Sequence, residues 1–240
     1  MALYDYTVDE NVAVLTMNNG ENRFNLDSVK TFRRTLEEIE KETSANALVV
    51  TSAHEKIWCN GIDLEWMLSA VQAEGEGVTN RFLTEMYTLF KCLLMLPMPT
   101  VAAINGHAFA GGAFLAFSHD FRFMRSDRGW ICLPEVDLGI PLGPVFMAIT
   151  RHNVPGFLLR EMQFTARRYT AQECEAYHMI NKACPLDQLM QQAVVFAKGL
   201  NKKRNIIGRM KTETYEPILR VIDDTIASLA TGAAVRIGTL

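Results

Sequence analysis

The chain has 240 residues, 49% of them hydrophobic and 21% charged, with a formal net charge of −3. This composition excludes disordered, collagen-like and low-complexity classes, and it argues against a nucleic-acid binder, which needs a basic footprint. One large core and small-molecule partners are expected. In chain order, the acidic start MALYDYTVDEN lacks the apolar segment of a secretory signal. Residues 11–17, NVAVLTM, predict a strand. Asp27 stands as a predicted N-cap before Val29, Phe32, Leu36 and Ile39, whose spacing marks one helical face, and ALVVTS (47–52) follows as a buried parallel strand. Together these make a βαβ unit. A loop over 53–61 leads to a helix from Asp63, a mobile turn at 74–77, and helical spacing through Phe82, Met86, Leu89, Phe90 and Leu93. PMPTVAAI (97–104) reads as another buried strand, a helix is expected near Gly111, and DFRFMR (120–125) alternates as a strand does.

Beyond residue 142 the pattern is helical. Thr170 with Glu173 forms a capping box, Pro185 opens a helix, and Tyr215 to Ala230 predict the last one. We divide the α/β chain into a core of residues 1–195 and a helical C-terminal region, 196–240. Ile206, Ile207, Ile218, Leu219, Val221, Ile222, Ile226 and Leu229 give that region an apolar surface that either meets a partner copy or folds back over the core. The apolar stretch 88–104 is interrupted by Lys91, Pro97 and Pro99 and is too short to span a membrane. Cys59, Cys92, Cys132, Cys174 and Cys184 are scattered without a CxxC pair, which predicts reduced thiols in an intracellular protein. Cytoplasm is the first expectation, with peroxisome and mitochondrial matrix left open; the final Gly238, Thr239 and Leu240 do not match the peroxisomal tripeptide.

No GxGxxG follows a strand, and GxxxxGK, HExxH and GxSxG are missing, so dinucleotide, P-loop, zincin and hydrolase-elbow chemistry lose their main support. Ser118, His119 and Asp120 are contiguous and point different ways, so they form no relay, and the five histidines lack metal-site spacing. Two glycine turns at strand ends remain, CNGID (59–63) and FAGGAF (109–114), with Glu135 in LPEVDLGIP. Two such turns can aim backbone N–H groups at one oxygen, although a glycine before a helix also serves simple close packing.

CNGIDL, PMPTVAAINGHAFAGGAFLAFSHDFRF and PEVDLGIP, in that order, resemble the enoyl-CoA hydratase/isomerase (crotonase) superfamily over residues 8–200. NGIDLEW (60–66), LPMPT (96–100), SHD (118–120), RSDRG (125–129) and EVDLGIP (135–141) are most similar to the plant-type 3,2-enoyl-CoA isomerases. The resemblance implies a ββα superhelix core, assembly as a trimer or a pair of trimers, and a fatty acyl-CoA substrate, with no separate metal or redox cofactor. It implies oxyanion-hole amides at Ile62 and Gly111 and a catalytic carboxylate at Glu135. The other carboxylate of the hydratases falls on Phe114, which cannot activate water, and this favours a one-base isomerase. The alternatives are another enzyme of the superfamily, hydratase or thioesterase, using a different acid, and a non-catalytic acyl-CoA binder. Asp63, Glu65, Asp120 and Asp137 are competing acids. CoA is expected along 22–26 and 57–62, touching Arg23, Lys56, Asn60 and Gly61, with surface solvation the alternative for the two cations. Lys198, Lys202, Lys203, Arg204, Arg209 and Lys211 are either a second CoA contact or a solvated helix face. Trp66, Phe82, Phe109, Phe114 and Leu142 are candidates for the acyl pocket, with plain core packing as the competing role.

Overall fold

In the computed structural model, which describes residues 2–231, two short strands, β1 (Tyr4–Asp9) and β2 (Val12–Met17), pair antiparallel. Helix α1 (Leu26–Glu42) then returns the chain to β3 (Ala47–Ser52), parallel to β2, which completes the expected βαβ unit. The cap of α1 is Asn25 rather than Asp27. Asn25 accepts from the Ser28 amide at 2.8 Å while the Ser28 hydroxyl accepts from the Asn25 amide at 2.9 Å, a reciprocal box that leaves Asp27 in the first turn. Val29, Phe32, Leu36 and Ile39 are buried as the spacing predicts.

From β3 onward the chain repeats one unit three times. A strand of the large sheet is followed by a very short strand of a second sheet and then by helix. The units are β3, β4 (Ile57–Cys59), α2 (Leu64–Glu74) and α3 (Gly77–Met95); β5 (Thr100–Ile104), β6 (His107–Phe109) and α4 (Gly111–Phe117); and β7 (Phe121–Arg125), β8 (Ile131–Cys132) and α5 (Pro144–Asn153). The large sheet has the order β1-β2-β3-β5-β7-β9, parallel beyond β2, and the small sheet is β4-β6-β8, all parallel. No sequence repeat announces these units, because each is defined by which sheet its strands join.

Three further helices, α6 (Gly156–Thr165), α7 (Ala171–Ala176) and α8 (Leu186–Gly199), surround strand β9 (Lys182–Cys184), with the capping box and opening proline where expected. The last helix, α9 (Arg204–Ala230), starts eleven residues earlier than predicted and runs through Pro217. Arg204 fixes its start by donating to the carbonyls of Glu40, Thr43 and Ala45, contacts that local sequence does not reveal. Ile218, Leu219, Ile222 and Leu229 are buried, and α9 lies against α3 and α5 of its own chain. Residues 232–240, including the final tripeptide, fall outside the described residues. Among the described residues all five cysteines are free, and no helix is long and apolar enough to cross a membrane.

Candidate active site

The chain emerges from the carboxyl ends of β4, β6 and β8 side by side, which is where a parallel sheet presents a site. After β4, the Gly61 carbonyl accepts from the Phe24 amide at 2.7 Å and the Asp63 amide donates to the Phe24 carbonyl at 2.9 Å, so the turn is stitched to the entry of α1. Gly61 has φ +74°, and a Cβ there would lie 2.7 Å from the Gly111 nitrogen and 2.9 Å from the Phe109 carbonyl oxygen. The two glycine turns therefore touch backbone to backbone, and no side chain fits between them. After β6, Ala110 takes φ 50° and ψ −120°, a strained conformation for a residue with a Cβ, held by its amide donating to the Cys132 carbonyl at 3.0 Å. Gly111 thus opens α4. Its N–H, being the first of a helix, has no intrahelical acceptor, and neither it nor the Ile62 N–H reaches a protein acceptor among the described residues.

After β8 the chain makes a tight turn in which the Pro134 carbonyl accepts from the amides of Asp137 and Leu138, at 3.0 and 3.2 Å, and the Glu135 carbonyl accepts from Ile140 at 2.9 Å. The Glu135 side chain is buried, and its Oε2 has no hydrogen-bond partner. Loss of hydration pushes its pKa up to about 7. The competing acids lie elsewhere. Asp63 caps α2 through the Trp66 amide, Glu65 and Asp137 are exposed, and Asp120 is bound to Thr100, Lys211 and Tyr215 past the C-terminal end of α4, whose first residue is Gly111.

Ile62, Gly111 and Glu135 line one cavity of about 270 Å³. Its walls are mostly apolar, with Leu64, Leu83, Phe109, Phe114, Ile140, Leu142 and Phe146, and Glu135 is the sole carboxylate among its lining residues. Phe114 stacks on Phe146 with ring centroids 4.3 Å apart, and Tyr87 meets Phe146 edge-on at 5.5 Å. Of the five pocket candidates, Phe109, Phe114 and Leu142 line the cavity. Trp66 and Phe82 do not; they pack on each other at 5.4 Å, with Phe82 deep in the core. Arg23 and Asn60 line one end and both donate to Glu21 at 2.9 Å.

Gly61 shapes its turn without lining the cavity, and Lys56 is exposed outside it. The basic cluster is dispersed: Lys198 pairs with Asp9 and Glu10, Arg204 serves the carbonyls named above, and Lys211 is buried against Asp120. Tyr87, Leu83 and Phe146 were not singled out from sequence, because at helical spacing they read as ordinary core. Among the described residues no group of three His, Cys, Asp or Glu side chains could hold a metal ion.

A family model described as enoyl-CoA hydratase/isomerase matches residues 7–229. Enoyl-CoA delta isomerase 3 of Arabidopsis thaliana is 32% identical over 221 residues, covering 88% of this chain and 91% of that protein. The peroxisomal enoyl-CoA delta isomerase 2 of the same plant is 36% identical over 170 residues, covering 69% and 70%. Among solved structures, an enoyl-CoA hydratase/isomerase family protein from Pseudomonas syringae superposes with a TM-score of 0.86 at 27% identity, covering 95% of this chain and 97% of that one.

Proposed function

The chain belongs to the enoyl-CoA hydratase/isomerase family, and from that premise we propose that it is a 3,2-enoyl-CoA isomerase working with a single base. The observation that carries this reading is the cavity's lone carboxylate. Hydration across a double bond divides its work between two carboxylates in this family, and here Phe114 fills the other position, stacked against Phe146.

In the proposed reaction the ionised Glu135 takes a proton from C2 of the 3-enoyl thioester. The electron pair left behind moves into the thioester carbonyl, and the resulting oxyanion accepts hydrogen bonds from the Ile62 and Gly111 amides. Each donor of this kind contributes about 2.7 to 4 kcal/mol to transition-state stabilisation. The protonated Glu135 then delivers the same proton to C4 as the pair returns, leaving the double bond between C2 and C3. A pKa near 7 suits both halves, since the group must be a base first and an acid second. The apolar walls keep competing water away from the dienolate. Arg23 at the cavity's end and the exposed Lys56 are the proposed partners of the CoA phosphates, and CoA enters only as part of the substrate.

The test offers the purified protein a 3-enoyl-CoA and crotonyl-CoA. Growth of the conjugated thioester's absorbance from the first, with little or no hydration of the second, supports the reading. Hydration of crotonyl-CoA as efficient as isomerisation would overturn it.

A further inference from the structure

The cavity contains one polar group that the proposed mechanism leaves unused. Of the lining side chains with polar atoms, Arg23 and Asn60 hold Glu21 at one end, and only Glu135 and Tyr87 remain. Tyr87 lies on α3 with 1% of its surface exposed, its ring held edge-on against Phe146. Its hydroxyl sits beside Gly143, where an added Cβ would lie 3.8 Å away, so the space next to it is left open by a glycine. No protein group among the described residues hydrogen-bonds this hydroxyl, and burial raises the pKa of the phenol, which stays protonated. Phe114, Leu142 and Phe146 line the same cavity, and none of their side chains carries a nitrogen or oxygen that could accept a hydrogen bond.

A plain hydrocarbon tail filling this cavity would seal off a donor with nothing to receive its proton, the unfavourable case for a buried polar group. We propose that Tyr87 is a specificity-determining residue and that the acyl chain favoured by this site carries an oxygen acceptor, as hydroxyl, ether or carbonyl, beyond the reacting carbons. The inference rests on the acyl-CoA isomerase reading and deepens it. One fixed donor in an otherwise apolar wall reads one position along the chain, so the preference is for a particular placement of the oxygen. A net hydrogen bond of this kind corresponds to roughly 2- to 10-fold in affinity or kcat/KM.

The experiment is an oxygen scan. A set of 3-enoyl-CoA thioesters of equal length, in which each methylene beyond C4 is replaced in turn by an ether oxygen, is compared with the all-carbon parent. The wild type is expected to favour one member of the set by about 2- to 10-fold in kcat/KM, and Tyr87→Phe, which keeps the ring and its packing, is expected to lose that preference, with kcat/KM for the all-carbon parent rising towards that of the oxygenated members because the unpaired donor is gone. A flat scan in the wild type, or a preference that survives Tyr87→Phe, would overturn the proposal. Competition binding with the corresponding saturated thioesters reads the same preference without turnover. A preference seen in binding with no isomerisation of any member would therefore sink the isomerase reading and leave the role of Tyr87 standing.

Discussion

Glu135 has the opposite of what an ordinary surface glutamate has: it is 9% exposed, with one oxygen buried and unpaired. Replacing it with Gln preserves the shape and removes the ability to accept a proton. Glu135→Gln is therefore expected to lower isomerase turnover by about 10²- to 10⁴-fold while the affinity for a saturated acyl-CoA, measured by calorimetry, changes little. Near-normal turnover would move the base to another acid. The same burial sets the pH response. Because the proposed reaction needs the carboxylate, kcat/KM should rise with pH through about 7. Stability should move the other way. The pKa is raised in the folded state, so the protonated carboxyl's contribution is complete below the ordinary glutamate range and is lost as pH climbs through about 7. A shift of this size corresponds to about 3 kcal/mol as an order of magnitude. Glu135→Gln should consequently unfold at higher denaturant than wild type at pH 8, with the difference shrinking towards pH 5. A gap that widened on acidification would contradict the origin of the shift in burial.

At the level of elements, the proposed oxyanion arrangement depends on how closely α4 approaches β4. A Cβ on Gly112 would lie 2.1 Å from the Cys59 carbonyl oxygen, a backbone atom that cannot swing aside. Gly112→Ala must push α4 away from the small sheet, and overpacking of this kind costs roughly 1 to 3 kcal/mol or more. A fall of several degrees in thermal midpoint is expected, with a loss of kcat exceeding the loss of acyl-CoA affinity because the Gly111 amide moves with the helix. Unchanged kcat in a folded variant would show that the spacing of the two turns is not what matters. These contacts also explain how much the sequence could reveal. The βαβ unit, the buried face of α1 and the Thr170 box follow from periodicity and capping, which are local. The small sheet does not, since β4, β6 and β8 have only three, three and two residues, too few to show alternation, and are defined by partners far along the chain. The long α9 was underestimated for the same reason, its start being fixed by carbonyls more than 150 residues away. At the site, the motifs point to Ile62, Gly111 and Glu135, which line one cavity, whereas Tyr87 and Phe146 look like core from sequence and prove to be cavity wall only once α3 and α5 are brought together.

For the molecule as a whole, a largely buried carboxylate, Asp120, joins α9 to the core beside the contacts of Arg204. Asp120 accepts from Lys211 at 2.8 Å, from the Tyr215 hydroxyl at 2.6 Å, and from the Thr100 amide and hydroxyl at 2.7 and 2.9 Å. Asp120→Asn would leave the buried Lys211 ammonium without its counter-charge, a defect worth about 3 to 5 kcal/mol. A variant as stable as wild type in urea would remove this clamp from the account. Because α9 packs Ile218, Leu219, Ile222 and Leu229 on its own chain and leaves Ile206 and Met210 near its start exposed, the stronger case for assembly passes to another surface. Phe157 and Phe164 on α6 are 62% and 70% exposed, and Val136 and Leu138, on the turn that carries Glu135, are 47% and 44% exposed. Phe164 and Val136 share a second apolar hollow with Leu142 and Met147, on a turn that also lines the proposed active site. Large apolar side chains left in water beside the turn that carries Glu135 call for a cover, and the trimer implied by the family resemblance would supply a second copy. Light scattering at micromolar concentration is therefore expected to give three times the chain mass. Phe164→Asp should shift the population towards monomer and lower activity in step, because the turn bearing Glu135 loses its support. A stable wild-type monomer with full activity would refute the trimer, and a monomeric Phe164→Asp variant with undiminished kcat would show that assembly and catalysis are independent.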